Sequence, residues 1–243
     1  MKTKFFTTIF AMLLAFTSFA KYETTNEDGG FGIKGGIGLS NIYYKNADAT
    51  YTTGKNKITI AGMIDLSYEH RFNKVFAIEP GVAIAFKGGA REFNNNLNGE
   101  RYRFDLHTQT IDIPLHAKFY IGDHFNLYTG PYVSFLTGAW GKFTRFNNEN
   151  NKVSEQKGVN IMQDKYADAN GNKAFNRVDA GMNFGLEYVS TKGLIIGARL
   201  SQGFLDVTNN NYKGYIGSDA IVLPGDNKWA GNTMFQTYVG IRF

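Results

Sequence analysis

The chain has 243 residues, a formal net charge of +5, 28 glycines, 4 prolines, no cysteine and 15% aromatic side chains. With 43% hydrophobic residues it can build an extended apolar surface, which excludes whole-chain disorder, while a mean hydropathy of −0.29 excludes a bundle of apolar membrane helices. The missing cysteines exclude disulfides, thiolate catalysis, cysteine zinc sites and lipid attachment at a thiol.

Residues 1–20 have the three parts of an export leader. Lys2 and Lys4 charge its start, an apolar run extends from Phe5 to Phe16, and Ser18 and Ala20 put small residues where a signal peptidase reads. Cleavage after Ala20 is expected, leaving 21–30 as a short periplasmic segment and 31–243 as the folded part. Loss of the two lysines lowers the charge from +5 to +3. That is too mild for a nucleic-acid footprint, and no basic stripe interleaved with aromatics occurs, so no nucleic-acid partner is expected.

Beyond Lys21 no apolar run approaches eighteen residues, and the dominant period is two, the mark of strands with unlike faces. Phe31 to Tyr44 alternates Phe31, Ile33, Ile37 and Leu39 with Gly32, Lys34, Gly36 and Ser40. Ile58 to Phe72 sets Ile60, Ile64, Leu66 and Tyr68 against Ala61, Asp65, Ser67 and Glu69. Phe76 to Phe86 sets Ile78, Val82 and Ile84 against Glu79, Gly81 and Ala83. Ile111 to Ile121 sets Ile113, Leu115 and Phe119 against Asp112, His116 and Lys118. Phe125 to Phe135, Val178 to Tyr188, Leu194 to Ser201 and Phe235 to Phe243 continue the pattern, giving eight strands.

The connections alternate as well. Short turns fall at His70 to Lys74, Gly122 to His124 and Ser190 to Gly193. Long polar loops rich in Asn, Asp, Gly and Lys are expected at Lys45 to Lys57, Lys87 to Arg103, Gly141 to Asn176 and Asp206 to Gly231. Short turns at one end and long loops at the other match an outer-membrane barrel and have no counterpart in a soluble sandwich. In such a barrel the apolar row meets lipid and the polar row fills the lumen. Gly81, Gly130, Gly181, Gly185, Gly197 and Gly240 all fall on the polar row, where a crowded interior needs small residues. Tyr68, Phe72, Phe76, Phe119, Phe125, Tyr188 and Phe243 sit on the apolar row beside the short turns or the C-terminus, as an interfacial girdle would.

Thr110 to Phe119 (TIDIPLHAKF), followed by a short turn and Leu127 to Tyr132 (LYTGPY), resembles the central hairpin of the porin-type outer-membrane β-barrel family common in Bacteroidetes, which includes the PorT proteins. Glu79-Pro80-Gly81-Val82 and Arg199 to Gly203 resemble its flanking strands, and the likeness spans about Phe31 to Phe243. His116 and Ala117 depart from the aliphatic residues usual there. The resemblance implies fold and location. It carries no catalytic residues, and it implies a possible association with protein secretion.

The final strand ends on Phe243, with Ile241, Val239 and Phe235 on the same face. This resembles the C-terminal signal by which barrels are recognised for assembly, so Phe243 is assigned that role and the barrel-assembly machinery is an expected partner, along with outer-membrane lipid. Pro80, Pro114 and Pro131 fall inside the strands, where a missing N–H breaks the ladder, and are expected at bulges or at unpaired extensions beyond the bilayer.

The lumen-facing row carries Lys34, Asp65, Glu69, Glu79, Asp112, His116, Lys118, Asp179, Glu187, Arg199 and Arg242. Eight strands leave room for side chains and no water-filled pore. Buried charges must pair, so an ion-pair network of Glu79, Lys118, Glu187, Arg199 and Arg242 is expected near the short turns. A structural plug is the first reading and a small ion or solute channel the second.

A lipid-modifying enzyme is the third, with His107 and Asp105 or Ser134 and Ser201 as its candidates. No G-x-S-x-G elbow and no histidine pair at metal-ligand spacing occurs, so no catalytic residue, metal or cofactor is assigned. His70 and His124 lie at turns. Asp168 to Asn172 has its glycine two residues too early for a calcium loop and is expected to be a turn. Trp140, Phe143, Phe146, Tyr166, Tyr212, Tyr215 and Trp229 in the long loops are candidates for contact with a protein partner. The expectation is therefore an all-β protein: an eight-stranded antiparallel up-and-down transmembrane β-barrel in the outer membrane of a Gram-negative bacterium.

Overall fold

A computed structural model describes residues 29–44, 51–95, 100–147, 149, 151–163, 167–209, 211 and 230–243. The leader, its cleavage point after Ala20 and residues 21–28 lie outside the described residues, as do Tyr166, Tyr212, Tyr215 and Trp229.

Among the described residues ten strands form in chain order: β1 Gly30–Tyr44, β2 Tyr51–Lys57, β3 Thr59–Arg71, β4 Phe76–Asn95, β5 Arg101–Ile121, β6 Phe125–Phe146, β7 Lys152–Asn160, β8 Val178–Val189, β9 Leu194–Gly203 and β10 Ala230–Arg242. Eight of them, β1-β3-β4-β5-β6-β8-β9-β10, pair antiparallel in sequence, and β10 closes on β1 with Gly35 opposite Val239. The ring leaves no free edge in the barrel wall, as a bilayer demands of any strand that crosses it. Strands β2 and β7 stand outside the ring, paired to the upper ends of β4 and β6.

Alternation sets the faces. Ile33, Ile37, Leu66, Val82, Ile113, Phe119, Leu127, Leu186, Ile196 and Val239 are all exposed, while Lys34, Asp65, Lys118, Asn126 and Glu187 beside them are buried. The outward row of β4 from Phe76 to Phe86 covers eleven residues, ten steps along the strand. At about 3.3 Å per residue and a tilt near 40° this gives roughly 25 Å, the height of a bilayer's apolar band. Aromatics ring its lower edge: Phe31 meets Tyr68 at 4.9 Å between centroids, Phe72 meets Phe76 at 5.7 Å, and Phe76 meets Phe119 at 5.4 Å. Leu66 lies near mid-band on β3 and is 53% exposed. Leu66→Arg is expected to cost about 2–4 kcal/mol, read as a lower urea midpoint for the barrel in lipid vesicles.

The three short turns lie together at this end. Asn73 Oδ1 accepts the N–H groups of Val75 and Phe76, both at 2.8 Å. Gly193 takes φ +80°, and a Cβ there would stand 2.2 Å from the carbonyl oxygen of Arg242.

Two expectations are corrected. The prolines are neither at bulges nor on extensions: all three lie mid-strand, each beside a gap in a ladder. Pairing between β3 and β4 stops at Ser67–Gly81 and resumes at His70–Ile78, and between β5 and β6 it stops at Pro114–Tyr132 and resumes at Ala117–Thr129, both without a change of register. A proline removes one donor, and the ladder reforms beyond it.

The segments 87–103 and 141–176 are also less loop-like than their composition suggests. Strands β4, β5 and β6 run 20, 21 and 22 residues, about twice what a bilayer needs. With β2 and β7 they build a five-stranded wall above the membrane. There the inward row turns apolar: Ile42, Phe104, Leu106, Phe143, Val159, Ile161 and Phe175 form a buried cap over the lumen, with Phe104 stacked on Phe143 at 4.6 Å. A bulge on β6 makes this possible. Gln109 faces Gly138 but Thr110 faces Leu136, so Thr137 is the extra residue and odd-numbered side chains point inward beyond it. Phe143 is therefore core. Phe175 bridges to Thr208, and Asn176 Nδ2 donates to the carbonyls of Asp206 and Thr208 at 2.8 and 2.9 Å, tying two long connections across the mouth.

Candidate functional site

The lumen above the short turns holds a cluster of buried charges contributed by six strands of the ring. Glu69 comes from β3, Glu79 from β4 and Glu187 from β8, with one carboxylate oxygen of each lying within 4.8 Å of the others. That spacing alone could hold a metal ion, but an ammonium group stands among them. Lys118 Nζ on β5 lies 3.0 Å from Glu69, 2.5 Å from Glu79 and 2.5 Å from Glu187. Lys34 on β1 adds contacts of 2.7 Å to Glu79 and 2.8 Å to Glu187. Arg242 on β10 reaches Glu69 at 2.7 Å, and Arg71 reaches it at 3.1 Å. The three carboxylates thus meet two ammonium and two guanidinium groups, so each carboxylate has a cationic partner within the protein.

Neutral groups complete the coordination. Tyr120 donates to Glu69 at 2.6 Å and Tyr238 to Glu187 at 2.9 Å. His116 Nδ1 lies 3.3 Å from Glu79, and its Nε2 lies 3.0 Å from the Asn183 amide nitrogen. A neutral imidazole protonated at Nδ1 satisfies both contacts, donating to the carboxylate and accepting from the amide. Lys34, Glu69, Glu79, His116, Lys118 and Glu187 are each at most 3% exposed.

Of the five residues expected as a network, Lys118 contacts both Glu79 and Glu187 directly, and Arg242 joins through Glu69. Arg199 sits elsewhere: it pairs with Asp65 at 2.7 Å and donates from Nε to the Tyr128 hydroxyl at 3.1 Å. Tyr128 meets the Tyr238 hydroxyl at 2.9 Å, and Arg199 also lies over the Tyr238 ring, so tyrosines connect it to the cluster. Lys34 and Glu69 belong to the lumen row but were not expected in the network. Sequence alternation assigns a face; it does not say which rung of one strand stands level with which rung of another.

A second polar layer lies higher. Lys87 pairs with Asp112 at 2.7 Å, Ser134 donates to Asp112 at 2.5 Å, and Asp179 stands opposite Ser134 in the ladder. A cavity of about 40 Å³ separates this layer from the apolar cap, with Thr110, Ser134 and Asp179 on one side and Leu106, Leu136 and Phe175 on the other.

The candidates for hydrolytic chemistry do not converge. His107 is exposed on the outward row while Ser134 and Ser201 are buried on the lumen row. Asp105 is taken by Arg103 at 2.7 Å. His70 packs on Phe72 and His124 on Tyr188, with centroids 4.7 and 5.7 Å apart. Asp168 Oδ1 accepts the backbone N–H groups of Asn170 and Asn172 at 2.9 and 2.8 Å, which makes this segment an Asx-type turn. Trp140 is exposed on β6, Phe146 stacks under the Arg101 guanidinium at 4.4 Å, and Phe243 is exposed at the lower edge, its N–H donating to Phe31.

The family described as outer membrane protein beta-barrel domain matches residues 22–209. No curated protein matches the chain. Among solved structures, OprG from Pseudomonas aeruginosa is 14% identical, with 89% of this chain and 97% of that one covered and a TM-score of 0.43. Neisserial surface protein A is 10% identical over 88% of this chain and 97% of that one, with a TM-score of 0.42. Outer membrane protein W of E. coli is 18% identical over 89% and 99%, with a TM-score of 0.37.

Proposed function

The chain belongs to the outer membrane protein beta-barrel domain family, and from that premise we propose that it is a sealed, non-enzymatic barrel of the Gram-negative outer membrane that serves a structural or interaction role at the cell surface. The observation that carries this reading is Lys118 enclosed by three carboxylates at full burial. Such a cluster fills the cross-section with groups that must stay paired, because an unpaired charge at that depth is costly. Above it the apolar cap closes the mouth a second time.

The separation of His107 from Ser134 and Ser201, and the occupation of Asp105 by Arg103, support the absence of a hydrolytic site. The wall of β4, β5 and β6 with β2 and β7 gives the protein a rigid surface beyond the lipid, suited to a protein partner. Its expected partners during biogenesis are lipid and the barrel-assembly machinery. The hairpin from Thr110 to Tyr132 resembles that of the porin-type barrels of Bacteroidetes, and a link to secretion rests on that resemblance alone.

Planar-bilayer recording on the purified barrel tests the sealed reading. No stable conductance steps are expected at neutral pH. Reproducible steps would favour a small ion channel and overturn the plug.

A further inference from the structure

Above the lipid-facing band the outward row of the wall turns from apolar to charged. Lys57 of β2 pairs with Glu92 of β4 at 2.8 Å, Arg103 of β5 reaches Glu92 at 3.5 Å and Asp105 at 2.7 Å, and Lys142 of β6 pairs with Glu155 of β7 at 2.7 Å. Cross-strand register makes these pairs one continuous strip: Glu92 stands opposite Arg103, and Asp105 opposite Lys142. Phe104, Leu106 and Phe143 on the same strands point into the cap, so the strip faces outward, on the side of the wall that meets lipid lower down.

The two signs are not equally presented. The side chains of Glu92, Asp105 and Glu155 are 14%, 9% and 12% exposed, whereas those of Lys57, Arg103, Lys142 and Lys157 are 43%, 37%, 39% and 68% exposed. The carboxylates form a floor and the cations the skin above it. Exposed ion pairs add little to stability, so holding the fold together does not account for this layering.

Height matters too. Lys57 stands opposite Ala90, four residues beyond Phe86, and Arg103 lies eight residues beyond Ile111. With about 3.3 Å per residue and a tilt near 40°, the strip runs roughly 10–20 Å above the apolar band. That is the level of sugar headgroups, not of acyl chains.

We propose that this strip is a binding site for the phosphorylated glycolipid headgroups of the leaflet surrounding the barrel. A basic surface close to a bilayer attracts anionic headgroups; Arg103 spends its Nε and one Nη2 hydrogen on Asp105, which leaves its outer N–H groups and the exposed ammonium groups of Lys57, Lys142 and Lys157 to meet phosphate. The site rests on the membrane-spanning orientation and is independent of whether the lumen conducts.

The test uses the full-length barrel in micelles of a neutral detergent. It is mixed with lipopolysaccharide carrying a phosphorylated inner core, or with the same lipid dephosphorylated, and retained lipid is measured by mass spectrometry. The wild type is expected to retain the phosphorylated form. The triple variant K57Q/K142Q/K157Q should retain about tenfold less, K57R/K142R/K157R should retain it fully, and K192Q, at the opposite end, should behave as wild type. Dephosphorylated lipid should bind weakly and equally to all four. Equal retention by wild type and the glutamine variant overturns the site, as does equal retention of the two lipids. Displacement of the lipid by soluble polyphosphate at equal phosphate concentration would assign the strip to free polyanions and overturn the lipid reading.

Discussion

Replacing Lys118 with methionine is expected to lower the stability of the folded barrel by about 3–5 kcal/mol, the cost of stranding buried charges when one partner of a buried pair is removed. Methionine matches the lysine stem in volume, so the loss comes from the ammonium, which stands within 3.0 Å of three carboxylates. Lys34 would then face Glu79 and Glu187 unaided. Equilibrium unfolding in urea, with folded and unfolded forms separated by gel mobility without heating, gives the value. The double variant K118M/E187Q removes one charge of each sign and should recover more than half of the loss; the coupling between the sites comes from the full cycle. A penalty below about 1 kcal/mol for K118M would mean that water compensates the glutamates, and the lumen would then not be sealed.

Gly130→Ala is expected to be nearly as damaging, by about 3 kcal/mol, through sterics alone. A Cβ at Gly130 would lie 1.9 Å from the Leu115 carbonyl oxygen and 2.9 Å from the His116 Cα. Both obstacles are backbone, so no rotamer change relieves them, and the cost falls at or beyond the upper end for overpacked sites. Strands β5 and β6 approach closely here, where their ladder lapses between Pro114 and Ala117. Gly35→Ala is the control, since a Cβ there meets nothing within 4 Å. It should leave the folded fraction in membranes unchanged while G130A depletes it. Equal folded fractions for the two variants would show that the strands can part at that point without loss.

Much of this architecture was legible in the sequence because a bilayer imposes a strict rule. Each strand that crosses it must put apolar side chains on one face, so Ile33, Leu66, Val82 and Ile113 mark their own orientation. The short turns followed from composition, and the even strand number from counting. The upper halves of β4, β5 and β6 were hidden because the rule lapses outside the membrane. There the outward row is polar, as in Arg103 and Lys142, and the local composition resembles a loop. The inward row of Phe104 and Leu106 keeps its parity, but Thr137 shifts that of β6, so Ala139 and Phe143 fall out of phase with Val133 and Phe135. The charge cluster was half legible for a related reason. Its members all lie on the lumen row, yet whether Glu187 meets Lys118 or Arg199 depends on the stagger between strands, which no single strand's pattern contains.

The placement of the cations around the ring also bears on how the molecule comes together. Lys34 lies on β1 and Arg242 on β10, the two strands that meet where the chain's first and last segments join. Arg242 reaches Glu69, and Lys34 reaches Glu187, only when that junction is shut. An open sheet would carry its acidic groups short of countercharge and would have to keep them hydrated. Closing the cylinder and drying its interior are therefore one cooperative event: the electrostatic reward arrives with the final pairing, and a partly zipped intermediate gains little of it.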